Sequence, residues 1–210
     1  MVEEKTAFNK YRHLLIHRVF VSLKGEQDYS IDFNTVLNEC SRGDLKAQEH
    51  LFKQYYGYVM SIAMRFSSCR DNALEITNDS FLKIFRNIGS HKIDKEFKAW
   101  VRRIVVNTAL DYYRREKKHL VEISIDEASD ESEDESVLDK LDAEGIIRLL
   151  NSLPVIYRYT FTLFEIEGFS HDEIAQQLSI STSTSRSNLT RAKKMLRQMI
   201  LTLYQYEGSV

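Results

Sequence analysis

A run of acidic residues, Val121–Glu144, divides this chain into two parts. The run holds eleven carboxylates and one cation, Lys140, and it contains no aromatic side chain. Like charges repel one another, and a segment with so few large apolar groups cannot bury enough surface to form a core. We therefore predict a flexible acidic linker at residues 120–140, with separately folded parts before and after it.

The near-neutral total charge hides two basic parts. The chain has 29 Lys+Arg and 31 Asp+Glu, a formal net charge of −2. Because the acidic run carries an excess of ten acids, the formal charge of the remaining residues is +8. Basic surfaces on a folded domain are typical of proteins that bind nucleic acid or another polyanion.

The residues outside the linker have the composition of an all-α protein. Seven Gly and one Pro in 210 residues argue against an architecture of strands and turns. Apolar residues instead recur at intervals of three and four, the spacing of a buried helix face. We predict two small helical domains, a helix bundle at residues 31–119 and a helix-turn-helix domain at residues 141–204. Residues 1–30 form an N-terminal extension to which we assign no role.

The first domain is predicted to hold three or four helices. Leu45 belongs to the apolar stripe of the second helix, and Asp71 is in position to cap the third. The other predicted inward positions of the stripes are Phe33, Val36, Leu37, Cys40, Leu51, Phe52, Tyr55, Tyr56, Val59, Ile62, Ala73, Ile76, Ser80, Phe81, Ile84, Phe85, Ile88, Phe97, Trp100, Val101, Ile104, Val105 and Thr108. Helices of this length can close a bundle.

The second domain has the pattern of a helix-turn-helix. A segment from Val155 to Gly168 reads as one helix, with Gly168 just past its end. Ser170 and Glu173 have the spacing of a capping box at the start of a short helix. A turn and a longer basic helix follow from about Thr182, the arrangement found in DNA-binding domains. The inward positions of these two helices are Ile174, Ala175, Leu178, Ser185, Leu189, Ala192 and Leu196.

The outward face of the last helix carries cations and hydroxyls. No Asp or Glu occurs from Ile174 to Tyr206, whereas a solvated surface helix normally mixes both signs. The outward side chains could reach base edges from the first two turns and phosphates beyond them. Ser179 stands in the turn where many such motifs have Gly, and Ser185 stands where an aliphatic residue is usual. The residues predicted to contact duplex DNA are Arg186, Ser187, Thr190, Arg191, Lys193 and Lys194.

The sequence offers little support for catalysis, metal binding or membrane insertion. Cys40 and Cys69 stand alone, so they provide neither a zinc framework nor a disulfide pattern. His13 and His17 have no third ligand at a suggestive spacing, and no Gly-rich phosphate loop is present. No stretch approaches the roughly 18 apolar residues of a membrane span. We expect a cytoplasmic protein that is not an enzyme and uses no cofactor or metal.

Three segments in order resemble the extracytoplasmic-function (ECF) group of RNA polymerase sigma factors, within the sigma-70 family. "DNALEITNDSFLKIFRNI" resembles their core-polymerase-binding helix, and "AWVRRIVVNTALDYYRR" resembles their −10-reading segment. "SLPVIYRYTFTLFEIEGFSHDEIAQQLSISTSTSRSNLTRAKKMLR" resembles their −35-reading domain. The resemblance extends from about Phe33 to Arg197. It implies a promoter-specific transcription initiation factor.

The resemblance implies a −10-binding surface in the first domain. Asn107 and Asp111 match family residues that contact the −10 element, and they lie one helical turn apart. The loop from Ser90 to Glu96 would hold a base flipped out of the non-template strand. The arginines nearby could contact the DNA backbone, and the aromatic ring could stack on a base. The remaining residues of the predicted −10 set are Trp100, Arg102, Arg103 and Arg114. Trp100 lies on the apolar stripe, which favours core packing over base stacking, whereas Tyr112 and Tyr113 fit both roles equally.

The resemblance also implies the partners. Asn78, Asp79, Phe81 and Leu82 match the positions at which the family docks on the clamp helices of the polymerase largest subunit, although Phe81 also fits a core position. The partners implied are core RNA polymerase, promoter DNA in duplex and single-stranded form, and an anti-sigma protein as a further candidate. Because the acidic linker cannot set the distance between the domains, polymerase would space them.

Two other functions are compatible with the charge pattern. An ordinary DNA-binding regulator would bind duplex operator without polymerase, and its first domain would sense a ligand or form a dimer. A protein-interaction module would dock its basic helices on an acidic partner. Transcription that depends on core polymerase separates the sigma-factor reading from both.

Overall fold

The computed structural model describes residues 33–91, 96–123 and 143–207 of the chain. These residues are helices and short connections, and none of them lies in a strand, as the all-α prediction requires. They fall into two compact units that meet in the sequence between His119 and Leu120. The N-terminal extension and most of the acidic run lie outside the described ranges. None of the helices within those ranges is both long and apolar enough to cross a bilayer.

Four α-helices lie in the described residues of the N-terminal unit. They are α1 (Phe33–Ser41), α2 (Leu45–Ala63), α3 (Arg70–Asn87) and α4 (Phe97–Ile123), with a 3-10 turn at Ile88–Ser90 after α3. Gly43, with φ +84°, turns the chain between α1 and α2 in a conformation that side chains rarely tolerate. Asp44 then caps α2 by accepting a 2.8 Å hydrogen bond from the Ala47 N–H.

Apolar side chains from all four helices form the core of this unit. Most of the predicted inward positions named above are buried, whereas Phe33, Phe52, Tyr55, Tyr56, Phe85, Trp100 and Ile104 are half-buried. An aromatic cluster continues the core at one end, where Phe97 lies with its ring centroid 5.2 Å from those of Phe33 and Tyr55. Burial of this surface supplies most of the stabilisation of such a bundle.

Two local predictions for this unit are wrong. Leu45 is 78% exposed, because it lies two positions before the buried Ala47 and is therefore rotated from it by about 200° around the helix axis. Helix α3 begins at Arg70, with Cys69 in the N-cap position, so Asp71 lies in the first turn instead of capping it. There its carboxylate still complements the positive end of the helix dipole.

The C-terminal unit packs its remaining helices around α8. Its elements are α5 (Ala143–Asn151), α6 (Val155–Phe161), a π-helical turn (Thr162–Ile166), α7 (His171–Leu178) and α8 (Thr182–Glu207). Apolar residues of α5, α6 and α8 form one cluster that includes Ile146, Leu150, Leu153, Phe161, Leu189, Ala192, Leu196 and Ile200.

The segment predicted as one helix from Val155 to Gly168 changes its winding in its second half. After Phe161 the helix widens, and the Glu167 N–H donates to the Thr162 carbonyl at 3.0 Å. Gly168, with φ +79°, follows the end of the turn, in agreement with its predicted capping role. Such wide turns occur often at functional sites. Here the turn holds Phe164 and Glu165, two residues that contact α7 and α8.

Candidate nucleic-acid interface

The helix-turn-helix begins with the predicted capping box. Ser170 Oγ accepts a hydrogen bond from the Glu173 N–H at 3.2 Å, and the Ser170 N–H donates to the Glu173 carboxylate at 2.8 Å. The Ser170 N–H and hydroxyl both donate to the Glu173 carboxylate, and these bonds lower the pKa of Glu173 below its usual value. Helix α7 ends at Ser179, whose φ of 54° is left-handed. Serine therefore adopts the conformation for which many such turns use glycine.

The inward face of α8 is the predicted one. Ser185, Leu189, Ala192 and Leu196 are all buried, and Ile174 and Leu178 of α7 are buried too. Ala175 is half-buried. The pattern of the sequence thus identified correctly which side of α8 packs into its own domain.

A hydrogen bond explains why serine is accommodated at the buried position 185. Ser185 Oγ lies 2.9 Å from His171 Nδ1 of α7. The His171 ring stacks on Phe164 of the π-turn, with centroids 4.4 Å apart. Desolvation and the positive charge of Arg186 lower the pKa of His171 below 6.5, and Asp172 opposes them. A neutral histidine thus takes the place of an aliphatic contact between the two helices.

The outward face of α8 presents its cations and hydroxyls to solvent. The exposed members of the predicted set are Arg186, Ser187, Thr190, Arg191 and Lys194. Thr190 Oγ1 donates to the Arg186 carbonyl at 3.0 Å, and Arg191 donates to the Tyr157 hydroxyl at 3.2 Å. Tyr157 on α6 therefore steadies one cation of this face, a role that no sequence pattern indicated.

Lys193 differs from its neighbours on α8. Its Nζ lies 2.6 Å from the Glu165 carboxylate and 6.0 Å from the centroid of the Phe164 ring. The Glu165 side chain is only 7% exposed, so this pair is shielded from water on its acidic side. Within the unit, Lys193 satisfies the charge of Glu165 in addition to lying near the outward face.

The structure places the predicted −10 residues along α4. Arg103, Asn107, Asp111 and Arg114 are exposed, whereas Arg102 and Trp100 are half-buried. The Trp100 ring packs against Phe97 and His91, with centroids 5.4 and 4.9 Å away. Residues 92–95 of the predicted base-binding loop lie outside the described ranges.

Tyr112 and Tyr113 belong to the core. Each is 8% exposed, so neither ring offers a face for base stacking in this conformation. Desolvation, with the nearby Glu116 and Glu75 carboxylates, raises the pKa of Tyr112 to about 12, and desolvation raises that of Tyr113. The core alternative is therefore the correct one for both.

Asp111 is held between two cations. Its Oδ2 accepts from Lys83 of α3 at 2.8 Å, and its Oδ1 accepts from Arg114 at 2.8 Å. Both oxygens of a carboxylate in the proposed DNA surface are thus engaged by positive groups. The pairing reduces the repulsion that an isolated carboxylate would exert on a phosphate.

The predicted polymerase-binding residues fall into three environments. Asn78 and Leu82 are exposed one turn apart on α3, and Leu82 keeps 53% of its surface accessible. Asp79 is paired with Arg115 at 3.3 Å. Phe81 is only 3% exposed and packs on Phe52 with centroids 4.5 Å apart. The ring of Phe81 therefore fills the core position that the sequence also allowed.

Sequence reasoning missed the charged contacts between α3 and α4. Arg115 bonds Glu75 at 3.0 Å in addition to Asp79, and Lys83 bonds Asp111. Glu75, Asp79 and Lys83 are spaced at four-residue intervals, which places them on one side of α3. That spacing was a usable signal, but their partners on α4 depend on the tertiary arrangement. Across the described ranges, no three His, Cys, Asp or Glu side chains group as they would around a metal ion.

Both units match models of one protein family. The sigma-70 region 2 model matches residues 51–119, and the sigma-70 region 4 model matches residues 143–196. Together these ranges span more than half of the 210-residue chain. The interval between them coincides with the acidic run.

Curated relatives and solved structures belong to the same family. The chain is 27% identical over 157 residues to the ECF RNA polymerase sigma factor SigE of Mycolicibacterium smegmatis, covering 72% of this chain and 61% of that protein. It is 27% identical over 178 residues to the ECF RNA polymerase sigma-E factor of Haemophilus influenzae, covering 79% and 93%. A solved complex of the sigma factor RpoE with the anti-sigma factor NepR from Bartonella quintana is also similar. Its matched chain has a TM-score of 0.48 at 20% identity, covering 74% of this chain and 98% of that one.

The matched regions occur in the order that the sequence predicted, and each coincides with one compact unit of helices. The chain belongs to the ECF group of the sigma-70 family, and it is a promoter-specific transcription initiation factor.

Proposed function

We propose that this protein directs core RNA polymerase to promoters by reading two DNA elements with its two units. The observation that carries the proposal is the outward face of α8, where Arg186, Thr190 and Lys194 are exposed while the opposite face is buried. A helix with this division can enter the major groove with its first turns and keep its packing intact. The −35 duplex is the element that we assign to it.

Within α8, the residues have different tasks. Arg186 and Ser187 lie in the first turns, so they read base edges, and a bidentate arginine favours guanine. Arg191 and Lys194 contact phosphates, which set the register of the helix on the duplex without reading its sequence. Lys193 acts mainly through Glu165, because their 2.6 Å contact holds its charge against the domain.

The N-terminal unit captures the −10 element as a single strand. Asn107 on α4 has an amide that can donate to and accept from a base edge, and it is exposed. Arg103 contacts the backbone, and Asp111 contributes as a paired carboxylate. No hydrolysis is needed, since the unstacking of a base costs a few kcal/mol and binding of the extruded base offsets it.

Core polymerase docks on α3. Asn78 and the exposed side chain of Leu82 form a small mixed surface, and Asp79 lies beside it. Because the Leu82 side chain is 53% accessible in the free protein, its burial against a partner would contribute favourable free energy to binding. The clamp helices of the largest subunit are the partner that we assign to this surface. This protein and core polymerase would meet in the cytoplasm. An anti-sigma protein is a further candidate for the same surfaces in the uninduced cell.

A selection from a pool of random duplex DNA tests this function. Holoenzyme assembled from bacterial core polymerase and this protein should enrich sequences with two blocks at a fixed separation. Arg186→Ala should weaken the base preference at one or two positions of the upstream block alone, and Asn107→Ala should weaken it in the downstream block alone. An ordinary regulator would give a different result: the protein without polymerase would enrich a single block, and holoenzyme would enrich none.

A further inference from the structure

A row of charged side chains on α3 faces α4. Glu75, Asp79 and Lys83 follow one another at single-turn intervals, and each is ion-paired with a residue of α4. Arg115 bonds the first two, and Asp111 bonds the third. The row therefore joins the helix proposed to dock on polymerase to the helix proposed to bind the −10 strand.

Arg115 lies between the proposed polymerase-binding surface of α3 and the proposed −10-binding face of α4. It lies one turn after Asp111 and two turns after Asn107, so it extends the proposed −10 face of α4. Its guanidinium lies 3.0 Å from Glu75 and 3.3 Å from Asp79, and 5.7 Å from the centroid of the Tyr112 ring. In the free protein, two carboxylates thus compete with any phosphate for this cation.

The pairing is weak enough to be exchanged. The Arg115 side chain is 53% exposed, and those of Glu75 and Asp79 are 52% and 36% exposed. Ion pairs in such positions are screened by water and salt, and each contributes little to folding. A cationic group on the polymerase that binds Asp79 would therefore remove one of the two carboxylates from Arg115 without unfolding the helix pair.

We propose that Arg115 is a DNA-backbone contact that Glu75 and Asp79 restrain in the free protein, and that docking of polymerase on Asp79 releases it to the single-stranded −10 region. The inference rests on the proposed function, because it uses both of its surfaces. It couples the two binding events: polymerase raises the affinity for the strand, and by linkage the strand raises the affinity for polymerase.

The restraint can be removed without polymerase by neutralising both carboxylates. Glu75→Gln with Asp79→Asn should raise the affinity of the full-length protein for a labelled 20-nucleotide oligo(dT) by about two- to fivefold at low salt, the range expected for exposed ion pairs. Because phosphate contacts are independent of base sequence, the promoter need not be known. One added contact should also steepen the dependence of log affinity on log salt by about 0.7.

Three further variants test whether the gain in affinity comes from the release of Arg115 or from the general loss of negative charge. Glu39→Gln with Glu49→Gln removes two exposed carboxylates from α1 and α2 of the same unit, and it should leave the salt dependence unchanged. Arg115→Gln in the neutralised background should return the affinity and slope to those of the parent protein, and Arg115→Lys should retain part of the gain. An equal rise in the control pair, or a rise that survives Arg115→Gln, would overturn the proposal.

The same proteins distinguish this inference from the proposed function. If oligo(dT) binding follows Arg115 as described but the parent protein does not bind core polymerase, the proposed function fails and the restraint on Arg115 stands without its release by polymerase. If the parent protein supports polymerase-dependent transcription while oligo(dT) binding ignores Arg115, the inference alone is wrong.

Discussion

His171 Nδ1 lies 2.9 Å from Ser185 Oγ, and this contact joins α7 to the buried side of α8. The hydroxyl is inaccessible to solvent, and the imidazole stacks on Phe164. Position 185 is the first buried position of α8, so this contact lies where the start of the helix packs against α7. A histidine thus occupies part of the packing surface between the two helices.

The stability of the C-terminal unit should fall in mild acid because of His171. Desolvation and Arg186 hold its pKa below 6.5, so folding favours the neutral imidazole. This contribution is fully present above pH 6.5 and is lost as the pH falls towards the lowered pKa of the folded state. Hydrogen-exchange protection factors of the α8 amides should drop from pH 7.5 to pH 5 in the parent protein and change less in His171→Asn. An equal drop in both proteins would contradict the assignment, and His50→Asn on α2 serves as the control.

Lys193 and Lys194 should have separate effects, although they are adjacent. Lys193→Ala deprives the nearly buried Glu165 carboxylate of its cation, and we expect a loss of about 1–3 kcal/mol in the free energy of unfolding. Lys194→Ala removes an exposed charge, so the free energy of unfolding should be unchanged. For binding of holoenzyme to promoter duplex, the slope of log affinity against log salt should become shallower by the amount expected for one phosphate contact. Urea unfolding and binding isotherms at several salt concentrations measure the two effects. Equal stability losses would show that the contact with Glu165 is unimportant.

Leu82 should be needed for binding to polymerase, and Leu45 should not. Both leucines are exposed in the same unit, at 53% and 78%, so Asp at either position should be tolerated by the fold. Leu82→Asp places a desolvated charge in the proposed interface, and we expect at least a tenfold loss of affinity for core polymerase, which corresponds to about 1.4 kcal/mol. Competition with a labelled sigma factor for core enzyme measures this affinity. Comparable behaviour of the two variants would remove Leu82 from the interface.

Arg186 should act on specificity more than on general affinity. Its position in the first turns of α8, exposed beside Ser187, suits contact with base edges. We expect Arg186→Ala to weaken promoter duplex binding by holoenzyme by about 1–3 kcal/mol and to relax the preference at one or two base pairs. Binding to a set of single-substitution promoters shows the change. A uniform loss over all sequences would assign Arg186 to the phosphate backbone.

Periodic patterns predicted the parts of this molecule that depend on local sequence. The capping box at Ser170 and the buried face of α8 follow from spacing alone, because each is formed within one helix or one turn. Leu45 was assigned to the stripe of α2, but it lies two positions before the buried Ala47 and therefore faces away from the core. The change from α-helix to π-helical turn after Phe161 could not be predicted from the spacing of the apolar residues.

The contacts that define the candidate site depend on distant parts of the chain. Lys83 meets Asp111 across 28 positions, and Tyr157 meets Arg191 across 34. Polar side chains of this kind can pair with many partners, so their choice is decided only when the helices pack. For the same reason the sequence does not show that Lys83 supplies a cation to Asp111.

Run-off transcription with purified bacterial core polymerase tests the central claim most directly. The template pool would include upstream regions of genes from the same genome, transcribed with and without this protein. We expect discrete starts that require the protein and that are lost with Arg186→Ala, with Asn107→Ala and with Leu82→Asp, but not with Leu45→Asp. No protein-dependent start from any template, together with tight binding of duplex DNA by the protein alone, would contradict the account.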